Sequence, residues 1–417
     1  MKWIALGIAL MAVPVISGWA RGRDDRVALL ATIVAFLPFF NVDVYLVSDP
    51  SYRGDTRGLE LGLVDLAGLA LWWAMPAAGR LPDRLLRAAF LLAVLASVAQ
   101  AARPEFALYG VAKLVRMYAI GAVAARAGRT GHGPALLRGL AFGLIYAAVV
   151  ALQQRYLDGR LQATGPFVHQ NGLGMTANLI APVLLSLLLV GQGGRLVAIA
   201  LACAALSVIL SLSRGAMTML PLACAVVYVG SMRRRYTPRK LVILLIALLG
   251  AALVLGKSLD TIVDRFLHAP ETSGEGRERF EEAAHLMLAD HPLGVGLNQY
   301  SWVLAHDGYG ARVDLPPPDR DGLVHNYYWL TAAEAGWPGL VLLLLIMAAP
   351  LVRALAGVGR HWRTPSVRGD LLLGLAAGIL VTYLHSTLEW ALRITPISQV
   401  LWILYGLIAA IARPASR

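Results

Sequence analysis

The sequence predicts an all-helical, polytopic membrane protein, on three observations: apolar runs long enough to cross a bilayer, a scarcity of charge, and the confinement of most of that charge to short connections. Hydrophobic residues make up 58% of the 417-residue chain and charged residues 15%, with a mean hydropathy of +0.64. Soluble domains carry about a quarter charged residues. The apolar runs are roughly 17–22 residues long, enough to span a hydrocarbon core of about 30 Å as a helix. They must be helical because the bilayer offers no water to open backbone groups. An outer-membrane barrel would show short alternating strands instead, and the sequence has no such pattern.

Spans are expected near 3–20, 27–48, 59–78, 85–102, 106–125, 139–157, 172–192, 196–212, 216–232, 241–257, 326–352, 370–388 and 396–412. Lys2 and the basic turn at 21–26 conflict if every segment crosses, so about 12 transmembrane helices are expected. The first segment reads as a retained helix, since no small-residue cleavage pattern precedes Arg21. The net charge is +12 and the pI about 10.0, yet the placement of the basic residues excludes a nucleic-acid surface. They cluster in alternate loops: Arg80, Arg84 and Arg87; Arg126, Arg129 and Arg138; Arg233 to Lys240; Arg353 to Arg368; and Arg413 with Arg417. That bias marks cytoplasmic connections. Cys203 and Cys224 both lie in apolar runs and suggest neither a disulfide framework nor a zinc site.

Three regions follow: transmembrane helices over 1–257, a large loop over 258–325 on the side opposite the basic loops, and transmembrane helices over 326–417. The loop is acidic in a basic protein, with twelve Asp and Glu against six Lys and Arg from Lys257 to His325. A connection of this length is usually functional. Within it, Phe280, Ala283, Ala284, Met287 and Leu288 recur at helical spacing and predict an amphipathic helix from Arg277 to Asp290, ended by Pro292, Gly294 and Gly296.

Four polar clusters interrupt this apolar background: Phe167-Val168-His169-Gln170-Asn171-Gly172; Ser211-Leu212-Ser213-Arg214-Gly215; Gly276-Arg277 together with His291-Pro292-Leu293-Gly294-Val295-Gly296; and His325-Asn326 leading into Glu334-Ala335-Gly336-Trp337-Pro338-Gly339. In their order and spacing, over roughly 167–339, these resemble the O-antigen ligase and polymerase family of bacterial inner-membrane glycosyltransferases. Two departures are Glu281, where an aromatic residue is frequent, and His169-Gln170-Asn171 in place of a His-Pro-Asn type motif.

The resemblance implies a GT-C-type fold in the inner membrane of a Gram-negative bacterium, with the active site facing the periplasm. It also implies transfer of a glycan from undecaprenyl diphosphate to the lipid A–core oligosaccharide, with no cofactor and no metal. The expected partners are that lipid-linked donor, that acceptor and the bilayer, with no nucleic acid. O-antigen polymerase and protein O-oligosaccharyltransferase remain alternatives on the same donor, and a lipid-linked sugar transporter a more distant one. The chemistry matches the residue types. A diphosphate leaving group calls for guanidinium forks, which Arg214 and Arg277 supply. An acceptor hydroxyl calls for a base that titrates near neutrality, which His325 supplies. His169, Asn171, Asn326, Arg279, Lys113 and Arg116 complete the candidate substrate-binding set. Asp319-Arg320-Asp321 has metal-site spacing but reads as solvated charge in a proline-rich loop, and Gly294, Gly296 and Gly336 read as turn and packing residues.

Overall fold

The computed structural model describes residues 2–79, 82–267, 271–364 and 366–412. Arg80, Arg413 and Arg417 lie outside them. The chain is predominantly helical, in keeping with the expected class. Its helices are α1 (Lys2–Ala20), α2 (Asp24–Phe36), α3 (Leu63–Ala74), α4 (Arg84–Ser97), α5 (Pro104–Arg129), α6 (Gly133–Tyr156), α7 (Gln170–Leu189), α8 (Gly194–Ser211) and α9 (Arg214–Arg234), followed by α10 (Pro238–Leu267), α11 (Glu271–Asp290), α12 (Tyr300–His306), α13 (Tyr309–Arg312), α14 (Tyr327–Arg360), α15 (Val367–His385) and α16 (Thr395–Ile411). Among the described residues, eight helices are long and apolar enough to cross a membrane: α1, α5, α6, α7, α8, α9, α14 and α15. The protein is therefore polytopic.

The expected spans at 27–48 and 59–78 do not form as single helices, and 85–102 yields only the 14-residue α4. The run at 27–48 stops being helical near Pro38, and Asn41 takes a left-handed conformation (φ 42). The chain then enters strand β1 (Asp43–Ser48), which pairs antiparallel with β2 (Gly58–Gly62). The run at 59–78 supplies β2 and then α3, whose 12 residues cover only about 18 Å. The side chain of Asp65 accepts a hydrogen bond from the Gly62 amide (2.8 Å), which fixes where α3 begins. The β-branched and aromatic residues Val44, Tyr45 and Val47 suit a strand, and the apolar count alone concealed it.

The chain divides into two compact units. The first comprises 1–139, 272–350 and 386–410; the second comprises 140–271, 351–385 and 411–417. In the first, α1 and α2 pack on α3, and α3 on α5. In the second, α7 is buried almost all round by α8, α9 and α15. The approach of α15 to α7 depends on Gly374 and Gly378. A Cβ at Gly374 would stand 2.6 Å from the Ser186 hydroxyl, and one at Gly378 would overlap the Leu179 carbonyl oxygen. Small residues four apart bring membrane helices into backbone contact in this way.

Candidate functional site

Most of the large loop folds onto a core of its own. The amphipathic face expected of α11 is buried, with Ala283, Ala284 and Met287 packed against Tyr300, Val324 and Leu330. The helix starts at Glu271, so Arg277 lies inside it rather than at its first turn. An anion held by Arg277 would therefore not meet the free amides of a helix start.

The His-Pro-Leu-Gly-Val-Gly and Glu-x-Gly-x-Pro-Gly motifs turn out to be two halves of one junction. Gly336 (φ 67, ψ −172) breaks the helical path of α14, which releases carbonyls that an unbroken helix would use internally. The Val295 amide then donates to Ala333 (2.9 Å), the Gly296 amide to Glu334 (2.9 Å), and the Trp337 amide to Pro292 (3.0 Å). A Cβ on Gly294 would stand 2.5 Å from the Gly336 nitrogen, and a Cβ on Gly336 would overlap the Pro292 carbonyl oxygen. These glycines lock the end of α11 to the start of α14. His325 lies just ahead of α14, in a segment held by that lock and by a bond from the Tyr327 amide to the Ser386 carbonyl (3.0 Å).

His325 and Arg277 meet on a third residue. Glu389, almost fully buried, accepts from the Arg277 Nη2 on Oε1 (2.9 Å) and faces the His325 Nδ1 with Oε2 (3.3 Å). A carboxylate at Nδ1 favours the tautomer with the proton there, leaving the Nε2 lone pair to accept another. The His325 side chain is 29% exposed. Arg277, 34% exposed on its side chain, spends one of five donors on Glu389. Asn326 serves differently. Its Oδ1 accepts from the Tyr328 and Trp329 amides (3.1 and 3.3 Å) and caps α14, while its Nδ2 donates to Glu281 (3.0 Å). Arg279 donates to the Asp314 carbonyl.

Behind this cluster, in the same unit, runs a chain of buried charges. The Glu334 carboxylate pairs with Arg393 (2.6 Å), Arg393 reaches Asp55 (3.7 Å), and Asp55 pairs with Lys113 (3.0 Å). Burial raises the Asp55 carboxyl pKa, but Lys113 and Arg393 outweigh it and hold the group below its ordinary value. Burial likewise works against the Arg393 charge, and Glu334 and Asp55 more than offset it. Asp55, Lys113, Tyr327 and Arg393 form the polar end of a cavity of about 80 Å³ whose remaining walls include Phe90, Met117, Ile346 and Trp402. Arg116 sits in a second group, within 2.7 Å of Glu60 and of Asp65 and 3.7 Å of Asp43. Three carboxylates on one guanidinium leave an excess of negative charge; burial, with Glu60 next, pushes the Asp43 pKa up to about 6. Lys113 and Arg116 thus tie the hairpin to α5.

In the second unit, Arg214 is the first residue of α9, behind Ser213, whose hydroxyl accepts from the Ala216 amide (3.4 Å). Leu212 makes the break between α8 and α9 in a left-handed conformation (φ 48). Among the described residues, the Arg214 guanidinium has no carboxylate partner, and it sits where helix-end amides favour an anion. The side chain of His169 caps α7 through the Asn171 amide (3.2 Å), and Asn171 is buried one turn away. The ring of His385 packs on the backbone of Gly215, leaving no space there for a Cβ.

Of the sequence-derived candidates, the structure brings together Arg277 and His325. Arg214, His169 and Asn171 belong to the other unit. Asp321 pairs with Arg53 in an exposed ion pair (3.5 Å), in keeping with solvated charge at Asp319-Arg320-Asp321. Glu389, Arg393 and Asp55 were outside the candidate set. An ionisable residue in or beside an apolar run is costly and therefore informative, and that signal was present at Glu389. Its partners were not, being 64 and 112 residues away.

The helices and this cluster define a polytopic membrane protein with an enzyme-like polar centre beside its spans. Among known families, the model described as O-antigen ligase matches residues 199–344. The matched stretch contains Arg214, Arg277, His325 and Glu334, whereas Glu389 and Arg393 lie beyond it. A search of curated proteins finds no match.

Proposed function

We propose that the protein is an O-antigen ligase that transfers a glycan from undecaprenyl diphosphate to the lipid A–core oligosaccharide on the periplasmic face of the inner membrane. The observation that carries this reading is the shared carboxylate of Glu389, which orients an accessible histidine and an arginine side by side. In the proposed step, the His325 Nε2 accepts the proton of the acceptor hydroxyl as its oxygen attacks the anomeric carbon. The bond from that carbon to the diphosphate oxygen breaks, and the departing diphosphate takes the electron pair. Direct displacement inverts the anomeric configuration.

Arg277 is proposed to bind phosphate oxygens with the donors Glu389 leaves unused; for Arg214, which has no carboxylate partner among the described residues, anion binding is proposed at its own helix start. Glu389 keeps the imidazole in the proton-accepting tautomer and stabilises the imidazolium that forms. The basic loops Arg233–Lys240 and Arg353–Arg368 support a cytoplasmic assignment for those connections, and hence a periplasmic one for the large loop.

The test is transfer by purified protein from a lipid-linked glycan, with rough lipopolysaccharide and a second lipid-linked glycan offered as competing acceptors. Transfer to lipopolysaccharide is expected. Elongation of the lipid-linked glycan alone would make the protein a polymerase, and absence of transfer to either would overturn the reading.

A further inference from the structure

The large loop packs on the start of α5, where Asn298 and Gln299 donate to the carbonyls of Phe106 (2.9 Å) and Arg103 (2.9 Å). The 26 residues of α5 carry it about 39 Å from there, the depth of a bilayer with part of its headgroup layers. At the far end, still within the first unit, a cavity of about 820 Å³ opens among the α1–α2 turn, the end of α3 and the end of α5. Arg21, Arg23, Arg126 and His132 line it, together with Trp72 and Trp73. An adjoining recess of about 220 Å³ shares Trp72 and Arg126 and adds Arg129.

Arg21 and Arg126 carry the uncompensated charge of this basin, whereas Arg23 pairs with Asp25 in an exposed ion pair (3.9 Å). Arg21 donates to the Trp73 carbonyl (2.9 Å), and Arg126 to the carbonyls of Pro76 (2.7 Å) and Met75 (2.5 Å). These bonds satisfy the end of α3 but cancel no charge, and among the described residues neither arginine has a carboxylate partner. Among the described residues Asp24 is the one acid in the lining; it is fully exposed and lies 3.9 Å from His132. Among the described residues, Arg21 and Arg126 thus line the basin without a carboxylate partner, beside the exposed Asp24.

Two further features specify what such a basin would take. Arg126 stacks over the Trp72 ring (4.3 Å), and Arg26 over the Trp19 ring (4.7 Å), so cations and indoles alternate at one level. Indole rings prefer the headgroup zone of a bilayer, and basic pockets between helix ends suit phosphate headgroups. Beside the charged floor, Trp73, Leu69 one turn earlier on α3, and Ile16 and Trp19 on α1 are exposed apolar side chains. A ligand here meets guanidinium groups at one end and apolar surface along its length.

We propose that this basin binds an anionic phospholipid, with its phosphate held by Arg21 and Arg126 and its acyl chains along α1 and α3. A free phosphate would satisfy the arginines but leave the apolar rim uncovered. The bilayer supplies the lipid wherever the protein resides, and the site does not depend on the transfer chemistry at the other end of α5.

The test uses the full-length protein in a mild detergent, with thermal unfolding and native mass spectrometry as readouts. Phosphatidylglycerol, phosphatidylcholine and soluble glycerol phosphate are added separately. The expected result is a rise in Tm of several degrees and retained lipid adducts with phosphatidylglycerol alone. In Arg21→Gln/Arg126→Gln, glutamine can still donate toward the α3 carbonyls, and most of that rise is lost. Arg21→Lys/Arg126→Lys, which keeps the charge, retains at least half of it. If the glutamine pair fails to fold, the single variants Arg21→Gln and Arg126→Gln should each lower lipid occupancy at least twofold. Equal protection by phosphatidylcholine, equal protection by glycerol phosphate, or an unchanged rise or occupancy in the glutamine variants would each overturn the proposal.

Discussion

Replacing Glu389 with glutamine keeps the size of the side chain and its acceptor for Arg277 but removes the charge facing His325. The carboxylate oxygen lies 3.3 Å from Nδ1. Once the imidazole has taken a proton, their attraction at an effective dielectric of ~20 is about 5 kcal/mol. The ring is 29% exposed and Arg277 shares the carboxylate, so screening leaves about half, ~2.5 kcal/mol. Lost from the transition state, that corresponds to about a 70-fold slower chemical step. An amide NH2 turned toward Nδ1 would also favour the wrong tautomer and slow the step further. The measurement is single-turnover transfer with enzyme in excess over lipid-linked donor, on Glu389→Gln that melts within a few degrees of wild type. A folded variant that transfers glycan within threefold of the wild-type rate would refute the orienting role of Glu389.

Four other outcomes follow from the same geometry. Arg277→Lys and Arg214→Lys keep a positive charge without the planar fork and should each lower kcat/KM by about 100-fold, whereas Arg279→Ala, which loses a bond to a backbone carbonyl, should cost less than about threefold in the same assay. Gly336→Ala forces a Cβ against Pro292 and Leu293 at φ 67 and should destabilise the protein by about 3 kcal/mol or more, read as a lowered Tm in detergent. Asp43 has a folded-state pKa raised from 3.8 to about 6, so its contribution is present below pH 3.8 and lost as pH rises through 6. Stability should therefore fall by about 3 kcal/mol across that window, and Asp43→Asn should remove the slope in melts taken between pH 4 and 7. Because arginines are assigned to the diphosphate, transfer should persist in EDTA; abolition by chelation with rescue by magnesium would bring Asp319 and Asp321 into the site.

The sequence by itself determined the class of the protein, because burial of long apolar runs in a bilayer leaves helices as the structure open to them. It also determined the amphipathic face of α11, since Phe280, Ala283, Ala284 and Met287 repeat at the helical period and Gly294 and Gly296 stop it. His325 and Arg277 stand out in the sequence as candidates by residue type and motif. The span count was not: hydropathy at 27–48 and 59–78 is shared by a helix and by a hairpin flanked by short helices, and hydrogen bonding between Asp43–Ser48 and Gly58–Gly62 decided for the hairpin. Tertiary structure alone showed why the Gly-rich motifs occur as a pair, since Gly294 and Gly336 meet only when α11 folds back on α14. It alone assigned Glu389, because a carboxylate bridging residues 64 and 112 positions away leaves no local pattern. Periodicity records what each segment buries; the partners of a buried charge are set by where the chain returns, and that is a property of the folded whole.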